Sequence, residues 1–322
     1  MSSKTLFGIV ALVVVLVIGL FFILSNWQDG GKSIFRKFDS KTTQQPWWED
    51  VEETPLVNIL GDEGYQSIID WTEGYIQVSG RGTVDPAKAV SEADAYSMAE
   101  KTARMLAYEK LAETINGISL TSTTTLKDEK LASSSFSAKV EATIKFAREV
   151  GVRREQMSDG SPMVVVTMGV FINDNEGLSK VTLPYLQDKT RAEVVKKYLP
   201  KTRSDENYTG VIVDASGLNI QPAMAPRIVT TDGREIFGSM ADLDIDWAIQ
   251  HGVAGYAVSV EQAMKLKDRI GDNPIVVRAL NADKADAVLS NDEAERLAAA
   301  NMSGEFLNKC RIVFVISNSS GK

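Results

Sequence analysis

Hydrophobic positions are densest at the start of the chain. Residues 6–24 read LFGIVALVVVLVIGLFFIL, nineteen residues without a charge. At 1.5 Å per residue, such a helix nearly spans a hydrocarbon core of about 30 Å. A cleaved signal peptide has a shorter apolar stretch and ends in a small-x-small site, and neither fits here. The run predicts an uncleaved transmembrane helix within residues 1–24. Leu6, Phe7, Val13, Leu20 and Leu24 lie in its apolar stretch, and Trp27 lies at the interface. No Cys follows it, so a lipid anchor is excluded.

Residues 25–70 read as a juxtamembrane spacer, polar around residues 41–46, then Trp47-Trp48 followed by Glu49, Asp50, Glu52 and Glu53. The Trp pair has two readings, at the lipid headgroups or packed on protein. The acidic run weakens the first on an anionic leaflet.

Residues 71–180 predict a first α+β domain. Residues 74–79 (GYIQVS) alternate as a strand does, and Gly80-Arg-Gly82 is expected to break it. Asp85-Pro86 is an N-cap followed by Pro at the first helical position. A long helix is expected from there to Ile115, stopped by Asn116-Gly117. Its inner face would carry Val90, Ala93, Ala99, Ala103, Leu106 and Leu111, and its many alanines permit close packing. Residues 119–126 are rich in Thr and Ser. Phe136, Ala138, Val140, Ala142, Ile144 and Phe146 then fall on every second position, which predicts a strand. Asp159-Gly160 marks a turn, and residues 163–172 (MVVVTMGVFI) a further strand. The expected arrangement is one long helix across an antiparallel sheet.

Residues 181–207 read as a linker, with a short helix within residues 191–198. Residues 208–322 predict a second α+β domain. Its strands are residues 209–214, 227–230, 234–237, 255–258, 274–280, 287–289 and 311–317. Thr231-Asp232-Gly233 is a hairpin signal. Ser259 to Gln262 and Ser290 to Glu293 have capping-box spacing and open two helices. The order ends β-α-β-β-α-β, a split βαβ arrangement.

Composition narrows the chemistry. The formal charge is −8. Setting aside the anchor removes only Lys4 and leaves 34 basic against 43 acidic residues, a net −9. An acidic body argues against nucleic acid as a partner, because that binding rests on clustered Lys and Arg. The single Cys (Cys310) and single His (His251) exclude an intrachain disulfide, Cys/His zinc cages and His-pair metal sites. Cys310 leads into an apolar strand and reads as a small buried hydrophobe. His251 reads as a helix-end residue without an assignable catalytic partner. Asp242, Asp244 and Asp246 share the spacing of the first three ligands of a calcium loop. Trp247 and Val253 stand where that loop needs Gly and Glu, so an EF-hand is excluded. No G-x-G-x-x-G, P-loop, G-x-S-x-G or S-x-x-K pattern occurs, and no cofactor is expected.

Residues 75–120 (YIQVSGRGTVDPAKAVSEADAYSMAEKTARMLAYEKLAETINGISL) and 140–172 (VEATIKFAREVGVRREQMSDGSPMVVVTMGVFI) resemble the Lpp-twenty envelope lipoprotein family, which includes flagellar disk and ring proteins of the FlgP and FlgT type. Residues 208–238 look like a module that accompanies such domains. This chain departs from the family in having a membrane helix instead of a lipid. The resemblance implies a non-enzymatic envelope subunit that oligomerises into rings, disks or layers, with other envelope or flagellar-motor proteins as partners. It also implies a periplasmic body on a single-pass inner-membrane anchor. The flanking charges point weakly the other way, since Lys32, Arg36, Lys37 and Lys41 follow the anchor, interleaved with Asp29 and Asp39. Trp47, Trp48, Tyr96 and Arg104 are the candidate interface residues. The alternatives are a membrane-tethered ligand-binding or regulatory module, and a hydrolase using the Asp242–Asp246 carboxylates.

Overall fold

The computed structural model describes residues 57–62, 65–191 and 193–316, which fall within one compact unit. The expected membrane helix, with Leu6, Phe7, Val13, Leu20 and Leu24, and Trp27, Trp47 and Trp48 fall outside the described residues. The protein is mixed α and β. No helix among the described residues is long and apolar enough to cross a membrane.

The N-terminal half is built on an antiparallel sheet of β1 (Val57–Asp62), β2 (Tyr65–Asp70), β3 (Tyr75–Thr83), β4 (Arg148–Gln156) and β5 (Pro162–Phe171), in the order β1-β2-β3-β5-β4. β1 and β2 fall within residues 25–70, expected as spacer; pairing with each other and with β3 makes them strands. The long helix α1 (Glu92–Asn116) crosses one face. It is shorter than the pattern suggests. Pro86–Lys88 is a separate 3-10 turn capped by Asp85, and Ser91 then caps α1 by accepting from the Asp94 amide. Val90 falls in the break and is 96% exposed, Ala93 is exposed, and Leu106 is only half-buried. The buried stripe is Ala95, Ala99, Ala103, Ala107 and Leu111, each four residues on.

Gly80 and Gly82 do not end β3. They lie inside it, facing α1. A Cβ at Gly80 would stand 2.5 Å from the Ala103 carbonyl oxygen. Gly and Ala meet without side chains between them, so helix and strand pack backbone to backbone.

The period-2 segment is a helix. After α2 (Leu126–Ala132), α3 (Ser134–Lys145) buries Phe136, Val140 and Ile144, while Ala138, Ala142 and Phe146 face solvent. Six apolar residues at alternate positions contain an i, i+4, i+8 stripe, which suffices for a buried helix face. Ser133 caps it, and the two alanines, with Lys139, Glu141 and Lys145 between the apolar positions, favour helix. α4 (Ser179–Thr190) was hidden in the expected linker by Pro184. The proline gives up one amide near the helix start, and buried Leu183 and Leu186 hold the helix in place. Residues 193–198 form no helix.

The C-terminal half carries β6 (Gly210–Asp214), β7 (Ile228–Thr230), β8 (Glu235–Phe237), α5 (Ile245–His251), β9 (Gly255–Ala257), α6 (Val260–Lys265), α7 (Lys267–Ile270), β10 (Pro274–Arg278), β11 (Asn281–Asp283), β12 (Asp286–Leu289), α8 (Asn291–Gly304) and β13 (Ile312–Val315). Strands β10-β6-β13-β9 form a fully parallel sheet. Its buried sequences are continuous apolar runs, as expected for strands covered on both faces. A second sheet, β11-β12-β7-β8, holds the hairpin at Thr231–Gly233. The expected β-α-β-β-α-β order is altered: α6 and α7 stand where one helix was expected, β11 is an added strand, and β11 and β12 pair in this second sheet, so no single split βαβ sheet forms. Both capping serines are in place: Ser259 accepts from Gln262, and Ser290 from Glu293.

Candidate functional site

The two halves share one continuous core, from Ile69 in β2 to Ile316 after β13. Three local constructions weld them. The Thr/Ser-rich loop after α1 offers its carbonyls to the other half: the Met224 amide donates to Ser119 and the Ala225 amide to Leu120, at 3.0 and 2.8 Å. From the same loop, the Ser122 hydroxyl donates to Asp286 at 2.7 Å. Asp286 is 1% exposed and also accepts from Arg227, through the backbone amide at 3.0 Å, Nε at 3.0 Å and Nη2 at 2.6 Å. The parallel pairing of β7 with β12 sets this geometry, because Arg227 and Asp286 directly precede the paired residues Ile228 and Ala287. Hydrogen bonding to Asp286 holds the Arg227 guanidinium above its ordinary range.

The second weld is Trp71, edge-on to Tyr256 at 5.8 Å between ring centroids. The Tyr256 hydroxyl donates to the Ala223 carbonyl at 2.7 Å and accepts from the Ala223 amide at 2.9 Å. Burial holds that hydroxyl far above the usual tyrosine range. The third is Asn173, whose side chain lies between Gly74 and Gly252. Both glycines have positive φ, +73° and +84°, and a Cβ on either would stand within 3 Å of the Asn173 amide.

The residues singled out in the sequence are scattered. Tyr96 and Arg104 are struts from α1 to β4. The Tyr96 hydroxyl donates to the Glu155 carbonyl at 3.3 Å, and Arg104 pairs with Glu100 and Glu149, each at 2.9 Å. Asp242, Asp244 and Asp246 do not converge. Asp242 pairs with Lys197, Asp244 caps α5 by accepting from the Trp247 amide at 3.0 Å, and Asp246 lies in the first turn of α5. No group of three or more His, Cys, Asp or Glu among the described residues is placed to hold a metal ion. His251 ends α5, stacks on Trp247 at 3.6 Å and donates from Nδ1 to the Trp247 carbonyl at 3.1 Å. Burial pulls its pKa down, so the neutral ring is favoured. Arg269 caps the same helix end, donating to the His251 carbonyl and, at 3.0 Å, to that of Cys310. Cys310 is fully buried, and burial pushes its thiol up to about 12.

Two polar constructions had no sequence signal, because their partners are far apart in the chain. Buried Glu129 accepts from the Tyr185 hydroxyl at 2.9 Å and from Lys189 at 2.5 Å, tying α2 to α4. The other is a recess of about 70 Å³ lined by Lys197, Glu235, Ser239, Asp242 and Asn308, with Phe237 and Leu307. Glu235 is 6% exposed, and burial raises its pKa against the opposing charges of Arg227 and Lys197. The recess has room for about two waters, well short of a drug-sized ligand.

Residues 210–318 match the family model described as Treponema pallidum Tp0624, second domain. The match begins with β6 and covers roughly a third of the chain. No curated protein matches the chain.

Proposed function

We propose that this protein is a non-enzymatic scaffold subunit of the bacterial cell envelope. It is anchored in the inner membrane by the helix at residues 6–24, carries a periplasmic body, and assembles with copies of itself into a ring or disk. Flagellar-motor or other envelope proteins are its partners in that assembly. The observation that carries this reading is the welded body behind one uncharged run of nineteen residues. A ligand-closing module needs lobes that move apart. Here the junction is filled by Trp71, Asn173 and the Asp286 ion pair. The resemblance of residues 75–120 and 140–172 to envelope ring and disk proteins supports assembly as the use of that body. Within the second stretch, the part up to Lys145 is helix and not strand.

The test is electron microscopy and mass measurement of the full chain extracted in mild detergent. High-order particles are expected, and a monomer at all micromolar concentrations would refute the reading. A reporter fused after Lys322 tests the topology, with activity expected only in the periplasm. The alternative is a membrane-tethered ligand-binding or regulatory module, although the recess at Glu235 is too small for a drug-sized ligand. A dose-dependent thermal shift with envelope-derived small molecules would support that alternative.

A further inference from the structure

Opposite its buried stripe, helix α3 turns Ala138 and Ala142 to solvent, with Ser135 and Lys145 beside them, each about 140° from Val140. At 3.6 residues per turn, Ala138 and Ala142 each lie about 160° around the helix from Val140, at the centre of the solvent face. Phe146 caps the helix on the Lys139 side of that face, about 120° from Val140, and is 82% exposed. Lys139 and Glu141 flank it, each about 100° from Val140 and on opposite sides. Lys139 makes no ion pair among the described residues. Glu141 has only a distant Lys130, at 3.8 Å, and the Ser137 hydroxyl at 3.1 Å.

We propose that this face docks the same face of a second copy, with the two α3 helices parallel. The charges select the occupant and the direction. In a parallel pair related by a two-fold axis along the helices, the left flank of one helix meets the right flank of the other. Lys139 of each copy then meets Glu141 of its partner, twice per dimer, as e and g positions meet in a parallel coiled coil. An antiparallel pair brings identical flanks together and sets Lys139 against Lys139 and Glu141 against Glu141. The alanines at 138 and 142 let the backbones approach, in the same way that α1 approaches β3 within one chain. The neighbouring edge strand β4 is a poor alternative contact. It carries a bulge between Glu149 and Gly151, and its exposed charges are paired within the chain, a usual guard against edge pairing.

This contact rests on the scaffold reading and adds to it: a two-fold contact closes at two copies, so it pairs subunits while a different surface builds the ring or disk. The test uses full-length protein in mild detergent, with particle mass measured against concentration at low and high salt. Lys139→Glu and Glu141→Lys should each weaken association about tenfold at low ionic strength, and less at high salt. The double variant, Lys139→Glu with Glu141→Lys, should restore it. Phe146→Ser should weaken it at both salts. All three positions are exposed, and an unchanged melting temperature confirms intact folding. If the wild type assembles and the single reversals assemble equally well, the α3 contact is wrong and the scaffold reading stands. If the wild type is monomeric throughout, both fall.

Discussion

A Cβ placed on Gly82 would stand 2.1 Å from the carbonyl oxygen of Ala99. The atoms in the way are helix backbone, which cannot rotate aside. Gly82→Ala must therefore push α1 off the sheet. We expect a loss of about 3 kcal/mol or failure to fold, at the upper end for overpacking. Chemical denaturation midpoints test this. A change below 1 kcal/mol would mean that the helix slides freely on β3.

Asp286 sets the second expectation. It is buried and gathers Ser122 and Arg227 from different parts of the chain. Asp286→Ala leaves Arg227 and Ser122 without their partner; the Arg227 side chain is 42% exposed, so water recovers part of the loss and the cost should be about 1–3 kcal/mol. Ser122→Ala should cost about 1 kcal/mol. A double-mutant cycle between positions 122 and 227 should show coupling. Strict additivity would show that the loop after α1 is held by its backbone bonds alone.

Glu235 should make stability depend on pH in an unusual direction. Burial raises its folded-state pKa above the ordinary 4.5, so the protonated form is the one the fold favours. Its contribution is fully present below that ordinary value and is lost as pH rises through the raised one. Glu235→Gln should flatten this part of the melting temperature against pH and match or exceed the wild type at neutral pH. A variant that melts lower than wild type at pH 7 would show that the carboxylate is needed charged.

Glu295 holds the segment after Tyr198 against α8. Its carboxylate accepts from the Tyr198 hydroxyl at 2.9 Å and from the Lys201 and Thr202 amides at 2.6 and 2.9 Å. Partial desolvation works against ionisation, but these donors prevail and hold the carboxyl below its ordinary range. The contribution is therefore present above pH 4.5 and is lost as pH falls through the lowered value. Glu295→Ala should speed hydrogen exchange at the Lys201 and Thr202 amides while leaving the sheet amides protected. Unchanged exchange at those two amides would refute the assignment.

Elements whose signal is local were legible in the sequence. The hairpin at Thr231–Gly233, the caps at Ser259 and Ser290, and the strand runs at β6, β10 and β13 were all read from neighbouring residues. The segment from Phe136 to Phe146 has the pattern of a strand and folds as a helix up to Lys145, for a physical reason. Alternation is compatible with a helix when every second apolar residue of the run is small or exposed, and only packing decides which subset is buried. Gly80 and Gly82 look the same in sequence whether they break a strand or admit a helix. The polar clusters at Asp286, Glu129 and Glu235 join residues dozens of positions apart, and no spacing rule reaches that far.

Residue order and composition set an uncharged apolar run of nineteen residues, an acidic body, and a chain almost without Cys and His. These follow from residue identity alone, because hydropathy, charge and ligand chemistry belong to side chains wherever they are placed. The packed fold settles that Ala99 meets Gly82, that Arg227 meets Asp286, and that α3 buries Phe136, Val140 and Ile144 while Phe146 faces solvent. Those are outcomes of burial, which depends on what the rest of the chain brings near.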